Sequence, residues 1–552
     1  DMKITLFNGT EAIDSVSTYF GMRKISNQLV GGHRRTMLNN EFVFQMGPLD
    51  QGFWPDGIYT APTDEALRFD IEKMKEFGFN MVRKHIKVEP QRWYYWCDKL
   101  GLLVWQDMPS MNSYIDTNQR PVPPREDGAY IHELETMIRT HWNSPCIIAW
   151  VPFNEYQGSH DEDYIVNKIK EWDNSRLVNV NSGGDARYDT NNTDLRDYHA
   201  YPAPTCPPKN TTNTQIQVCG EYGGIGYIED GHVWATGNPY GWVNTYAELL
   251  AQYTEYAEML IYFKSNRGLS AAVYTEITDV EMELNGLMTY DRKVIKGNAG
   301  SFYEVNQRII NENRHYTEVL PTSEQTPQRW KYTTTQPAGN WFTANFSDEA
   351  WETGDGGFGT TNTPNVFIGT TWNTANIWLR RKFNLPANAL DLGILMLRVH
   401  HDEDCQVYIN GTKALDLLGY TGNYGFYEIS AAAQTGLVLG GENTLAVHCR
   451  QTSGGQYIDV GVSIYTSSNV AVKDVKKNAC RVYPNPAKNI LNIERQNPDA
   501  EIEGIYNATG SLVKMPVDAS DSAIDISGLV KGIYFLKLKT DNFYDAIAFI
   551  KE

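Results

Sequence analysis

The chain has 552 residues, room for about three or four domains, and carries 48 Lys and Arg against 67 Asp and Glu, a formal net charge of −19. That acidic balance argues against nucleic acid or an anionic membrane surface as the main partner. A hydrophobic share of 41% supports several packed cores and excludes global disorder. No apolar run reaches the roughly 18 residues of a membrane span. The opening DMKITLFNGT lacks the basic and apolar regions of a signal peptide, so the chain reads as a processed or trimmed product.

In chain order, FVFQMG (42–47) reads as a strand. Thr63, Asp64 and Glu65 then open a capped helix with Leu67, Ile71, Met74 and Phe77 at helical spacing, which ends at Gly78. FNMVRKH (79–85) is the next strand, and the pattern repeats. Helix 90–100 leads to LLVWQD (102–107), helix 130–142 to CIIAWV (146–151), and helix 161–172 to RLVNVN (176–181). Strands DYHAYP (197–202) and QIQVCGE (215–221), helix 244–263 and strand AAVYTE (271–276) complete the series. Strands separated by helices imply a parallel sheet, and eight such units fit a (β/α)8 barrel over 27–318 better than an open sheet. A Pro/Thr/Gln-rich linker (319–328) precedes short strands with Gly/Asn/Asp turns (329–466). A second hinge (467–479) precedes a last small β-unit (480–552).

Seven cysteines lie far apart without a CxxC pair, which argues against a zinc knuckle or a thioredoxin-type site. Cys97, Cys146 and Cys219 sit in apolar stretches and are predicted to be buried thiols. Aromatic residues make 12% of the chain, a composition that suits proteins stacking sugar rings and is also common in β-proteins.

In a barrel, polar groups at strand C-terminal ends face the site. The fourth strand runs into Asn154-Glu155, and the seventh ends at Glu221. Paired carboxylates across a cleft are what glycosidic bond cleavage needs. One is kept protonated to donate to the leaving oxygen; the other attacks the anomeric carbon or activates water.

Four stretches carry a family resemblance: NMVRKHIKVEPQRWYYWCDKLGLLVWQD (80–107), MIRTHWNSPCIIAWVPFNE (137–155), VCGEYGG (218–224) and TEITDVEMELNGLMTYDRK (275–293). Together they resemble glycoside hydrolase family 2, which includes β-galactosidases, β-glucuronidases and β-mannosidases. The resemblance implies a retaining double displacement on a barrel, with Glu155 as general acid/base and Glu221 as nucleophile. It implies that Asn154 binds the sugar 2-hydroxyl, that Arg83 supports the nucleophile and that Tyr201 hydrogen-bonds it. His199 and His85 are candidate sugar-hydroxyl ligands or structural histidines. Asp107 resembles a pocket carboxylate of the mannosidase branch, or caps a loop. Trp54 and Trp234 are candidate stacking platforms or core residues. Where the family has a His in its R-x-x-H-Y-P run this chain has Ile86, and Lys87 replaces the Tyr, which places a cation near the mouth and brings an anionic sugar into consideration. The β-glucuronidase Asn-x-Lys clamp is replaced by Asn285-Gly286-Leu287, and the magnesium-binding E-x-H of well-known β-galactosidases has no match after Asp107. No cofactor is required on this reading.

The flanks carry resemblances of their own. Residues 1–26 look like the end of an immunoglobulin-like domain entering the barrel. Residues 329–466, with WFTANFSDEAW, IWLRRKFNLP and LMLRVHHDEDCQVYINGT, resemble a galactose-binding-like jelly roll, where Asp402, Glu403 and Asp404 form a candidate calcium loop or an ordinary turn. CRVYPNPAKNILNIE (480–494) through AFIKE resembles the C-terminal sorting domain of the Bacteroidetes type IX secretion system. That implies the secretion machinery as a partner and a product released or attached at the cell surface of such a bacterium. The expected activity is that of a secreted retaining exo-β-glycosidase acting on an oligosaccharide or polysaccharide, β-galactosidase-like first. β-Mannosidase, β-uronidase or a non-catalytic carbohydrate-binding surface protein are the alternatives.

Overall fold

The computed structural model describes residues 1–110, 128–184, 192–209, 212–235, 237, 239–361, 363, 366–467, 480–495, 501–507, 512–514, 522–539 and 544–552. It divides into two units, Asp1–Ser467 and Ser468–Glu552.

Eight parallel strands form the centre of the first unit: β1 (Gln45–Asp50), β2 (Met81–Lys84), β3 (Leu103–Asp107), β4 (Ile147–Val151), β5 (Leu177–Val178), β6 (Leu195–Ala200), β7 (Ile216–Gly223) and β8 (Ala271–Thr275). They pair in the order β5-β4-β3-β2-β1-β8-β7-β6, a barrel whose two end strands lie beside each other without a ladder. There Asp194 N donates to Val178 O at 2.9 Å, and Val178 N donates to the Asp194 carboxylate at 2.9 Å, so one residue's backbone and side chain bridge the seam. Inward-facing Leu49, Met81, Trp105, Ile148, Val218 and Val273 fill the barrel, as a small closed sheet requires.

Six helices pack outside: α1 (Asp64–Glu76), α2 (Gln91–Leu100), α3 (Gly128–Thr140), α4 (Glu162–Trp172), α5 (Tyr246–Tyr262) and α6 (Ala299–Asn311). In α1 the Thr63 side chain accepts from Ala66 N, and Leu67, Ile71 and Met74 are buried, the stripe that the sequence spacing gives. Among the described residues no helix follows β5 or β6; residues 203–209, between β6 and β7, have no regular secondary structure.

The first strand begins three residues later than the apolar run suggests. Phe42 instead pairs with Met37 in a small antiparallel sheet of Ile25–Val30, His33–Leu38 and Glu41–Phe42. Its arginines reach barrel-strand starts: Arg35 donates to Leu269 O and Lys264 O, and Arg34 to Asn213 O. The sheet therefore covers the N-terminal end of the barrel and leaves the other end for the site. Residues 2–18 form a two-stranded hairpin with Ile4, Leu6, Ile13 and Val16 exposed.

Beyond the barrel, Arg314–Leu320 pairs with Tyr457–Ser467 and so joins the following β-module. That module has two six-stranded, mainly antiparallel sheets sharing a core that includes Trp330, Leu379, Val407, Val447, Val460 and Ile464. Glu403 accepts from Thr452, and Asp404 accepts from Gly419 N at 2.9 Å, so two of the three acidic residues of the candidate calcium loop already bind their own module. Cys97, Cys146 and Cys219 are buried free thiols. The second unit has a three-stranded and a four-stranded antiparallel sheet over Leu491, Ile505, Leu536, Leu538 and Phe549. The hinge 468–479 lies outside the described residues. Among the described residues no helix is long and apolar enough to cross a membrane.

Candidate active site

Arg83, at the C-terminal half of β2, organises the barrel mouth. Its side chain is fully buried, which is tolerable only with compensating acceptors. Nη1 donates to Glu221 Oε1 at 2.8 Å, and Nη2 donates to Asp107 Oδ2 at 2.8 Å and to Asn154 Oδ1 at 2.7 Å. One rigid fork thus fixes side chains from β3, from the end of β4 and from β7. Asp107 is committed to this guanidinium and to Ile86 N at 3.3 Å, with His85 Nδ1 3.5 Å away. Asn154 spends its carbonyl on Arg83, which leaves its NH₂ group as the donor for a ligand.

Glu155 follows a short continuation of the fourth strand, Phe153–Asn154, paired with Asn181–Ser182. The residue sits at φ +49° and Tyr156 at +62°, left-handed conformations costing a non-glycine residue about 1–2 kcal/mol each. Hydrogen bonds from Glu155 N to Ser182 O (2.8 Å) and from Tyr156 N to Asn181 Oδ1 (3.1 Å) hold the turn. The Glu155 side chain is 35% exposed, whereas that of Glu221 is 8% exposed.

His199 stands between these carboxylates. Its Nδ1 lies 2.9 Å from Glu155 Oε1 and 3.4 Å from Glu221 Oε2. Its Nε2 lies 2.9 Å from Ser182 Oγ, whose hydroxyl donates to Asp197 Oδ2 at 2.6 Å. Because the Ser182 proton goes to Asp197, Nε2 carries a hydrogen toward Ser182, and Nδ1 faces the carboxylates as their proton partner. Single ligand atoms of Glu155, His199 and Glu221 all lie within 4.8 Å of one another.

The two carboxylates differ in environment. Burial pushes Glu221 up, but the facing His199 and Arg83, with the Tyr201 hydroxyl, outweigh it and hold the group at about 2. Burial pushes His199 down, and Glu221, the Glu155 hydrogen bond and Asp197 more than reverse this, so its pKa is raised. Tyr201 OH donates to Glu221 Oε2 at 2.5 Å and lies 2.8 Å from Thr275 Oγ1. Its ring stacks on Tyr240 at 3.6 Å.

Lys87 lies just past the mouth-side end of β2, but not as a cation free to meet an anionic sugar. It is buried; Nζ donates to Gly52 O at 2.7 Å, pairs with Glu89 at 2.8 Å and lies 4.5 Å from the Tyr59 ring centre. Trp54 is buried beneath the Arg292 guanidinium at 4.0 Å, and half-buried Trp234 packs against Tyr290 at 5.6 Å. The sequence reading passed over Ser182, Asp197 and Thr275. Asp197 could have been found, since it shares the face of β6 with His199 two residues on.

Residues 61–299 match the TIM barrel domain of glycosyl hydrolases family 2, and residues 481–551 match a secretion system C-terminal sorting domain. The β-galactosidase of Leuconostoc mesenteroides is 29% identical over 196 residues, covering 35% of this chain and 18% of that relative. That of Lactococcus lactis is 28% identical over 202 residues, covering 35% and 19%. The chain thus spans less than a fifth of the length of these relatives. A solved structure of Bacteroides uniformis β-glucuronidase 2 aligns over 82% of this chain and 69% of its own, at 15% identity and a TM-score of 0.42. The chain therefore carries a glycoside hydrolase family 2 TIM barrel domain, followed by a secretion-system C-terminal sorting domain.

Proposed function

We propose that the chain is a secreted, retaining, exo-acting β-glycoside hydrolase, with a β-galactoside as the first substrate to test and β-mannosides and β-uronides next. The observation that carries the reading is the asymmetric carboxylate pair on the fourth and seventh strands. Glu221 is buried and held ionised, Glu155 is half-exposed, and both lie against His199 with ligand atoms within 4.8 Å. That closeness suits the separation of about 5–5.5 Å in retaining enzymes, where no water fits between the carboxyl groups.

In the first step a Glu221 oxygen attacks the anomeric carbon while the glycosidic C–O bond breaks, and Glu155 gives its proton to the departing oxygen. In the second, Glu155 as carboxylate takes a proton from water, whose oxygen attacks the same carbon and releases Glu221. The NH₂ group of Asn154 donates to the 2-hydroxyl as charge develops on the ring. The raised pKa of His199 lets its Nδ1 proton keep the Glu155 carboxylate oriented between the steps. The jelly-roll reading of the β-module, and export through the sorting domain, belong to the same proposal.

Turnover of aryl β-galactoside, glucoside, mannoside, glucuronide, galacturonide and glucosaminide is the test. One sugar should be cleaved with the β-anomer as first product. Glu155→Gln should cost about 10²–10⁴-fold, as loss of a general acid does, and Glu221→Gln should abolish turnover. Unchanged turnover in both variants, or an α-anomer as first product, refutes the assignment.

A further inference from the structure

A cavity of about 1030 Å³ lies between the barrel and the β-module, away from the centre of the barrel mouth. One wall is the irregular segment 203–209 between β6 and β7; another is the C-terminal end of α5, with Tyr262 and Phe263. The β-module closes it with Glu324, Arg398, His400 and Tyr424. Its size matches that of small-molecule sites, which span roughly 300–1,000 Å³. His199 also lines it, and this residue links the cavity to the catalytic carboxylates.

The charge inside is lopsided. Two guanidiniums share one carboxylate: Arg398 binds Glu324 through Nε and Nη2 at 2.8 Å each, and Arg267 Nη2 lies 3.2 Å from it. Arg267 Nη2 is paired with Glu324 by charge but makes no aligned hydrogen bond among the described residues. Lys209 adds a cation at the exposed rim, opposed there by Glu318. His33 and His400 are each pushed down to about 4, chiefly by burial, and are neutral at pH 7. Among the deep lining side chains two guanidiniums therefore face one carboxylate, with the Asp459 carboxylate set behind Tyr424. Arg398 is held flat on aromatic faces, 4.1 Å from the Tyr262 ring centre and 5.1 Å from that of Tyr424, so it is pre-ordered.

The geometry points to a second binding site, between the barrel and the β-module, for a saccharide bearing a carboxylate or sulfate group. Tyrosine faces and hydroxyls take the ring, and the Arg267–Arg398 pair takes the oxyanion, as guanidiniums favour. The choice of a saccharide rests on the glycosidase reading; the guanidinium pair does not.

Calorimetric titration of the full chain with trigalacturonate, a sulfated galactan trisaccharide and neutral galactotriose tests it. At least one acidic probe should bind about tenfold more tightly than the neutral one, the usual scale of one charged hydrogen bond. Arg267→Gln should remove that preference. Asn423→Trp, which fills the rim from a residue outside the guanidinium pair, should weaken both classes while leaving aryl glycoside turnover intact. Equal binding of acidic and neutral probes, no binding, or affinities unmoved in both variants overturns the site. Complete competition by the monosaccharide product places the ligand in the barrel mouth and overturns it equally. Absent turnover in the unmodified chain counts against the glycosidase reading alone, because the titrations do not depend on turnover.

Discussion

Tyr201→Phe removes one hydroxyl at the heart of the proposed chemistry. The ring and its stacking on Tyr240 at 3.6 Å persist, and only the hydroxyl that donates to Glu221 at 2.5 Å is lost. Burial, with Glu221 alongside, pushes the phenol far up its range, so it stays protonated, gives its hydrogen to Glu221 and accepts from Thr275 Oγ1. A hydrogen bond to a charged group contributes about 1.5–3 kcal/mol, and each 1.4 kcal/mol is tenfold in rate. The hydroxyl steadies the ionised carboxylate in the free enzyme and again as it leaves the glycosyl intermediate. Its loss should therefore fall on breakdown of that intermediate, lowering kcat about ten- to a hundredfold while KM falls as the intermediate accumulates. Steady-state and burst kinetics with an activated aryl glycoside read both effects, and the acid limb of the kcat/KM profile should move to higher pH as Glu221 loses a stabilising donor. A kcat within about twofold of the unmodified chain, with the acid limb unmoved, would refute the assignment of Tyr201 to Glu221.

The depressed pKa of Glu221 makes a stability prediction with a definite sign. Its folded value of about 2 lies below the ordinary 4.5, so the stabilisation is fully present above about pH 4.5 and is lost as pH falls toward 2. It amounts to about 3 kcal/mol at most. Guanidinium unfolding between these pH values should show a steeper decline than in Glu221→Gln, and identical slopes would contradict the electrostatic account. Lys87→Met should destabilise by about 1–3 kcal/mol, toward the low end because Glu89 keeps Lys84 at 2.6 Å. It should leave the ratio of uronide to neutral glycoside turnover unchanged, and a tenfold selective loss on uronides would return Lys87 to the substrate.

Much of the site was legible because barrel physics ties sequence position to function. A polar residue ending an apolar strand points to the mouth, which locates Glu155 and Glu221, whereas Arg83 and the role of Asn154 came through the family resemblance. Lys87 was misread because its partners, Glu89 and the carbonyl of Gly52, come together only when the β1 and β2 loops fold against each other. His199 could be placed near the site but not between the carboxylates, since that depends on Ser182 crossing from the neighbouring strand. The start of β1 was displaced because the apolar run Phe42–Phe44 reads as a strand by itself. Buried Gln45, inside the observed strand, accepts from the Trp105 indole at 2.7 Å, a partnership no local pattern reveals.

The seam between β5 and β6 is sewn by side chains instead of by a backbone ladder. Elsewhere the wall is a ladder that cannot yield without losing several hydrogen bonds together. Here Thr193 and Asp194 bond the backbone of residues 178–180, and above them Asn179 and Ser182 both donate to Asp197. Glu155 hangs from the Ser182 side through its own amide, whereas its proton partner His199 rides on the other side. A small widening of the seam would separate the acid from the group that orients it while leaving Glu221 and Arg83 in register. The line along which side chains replace the backbone ladder is thus also the line across which Glu155 meets its proton partner.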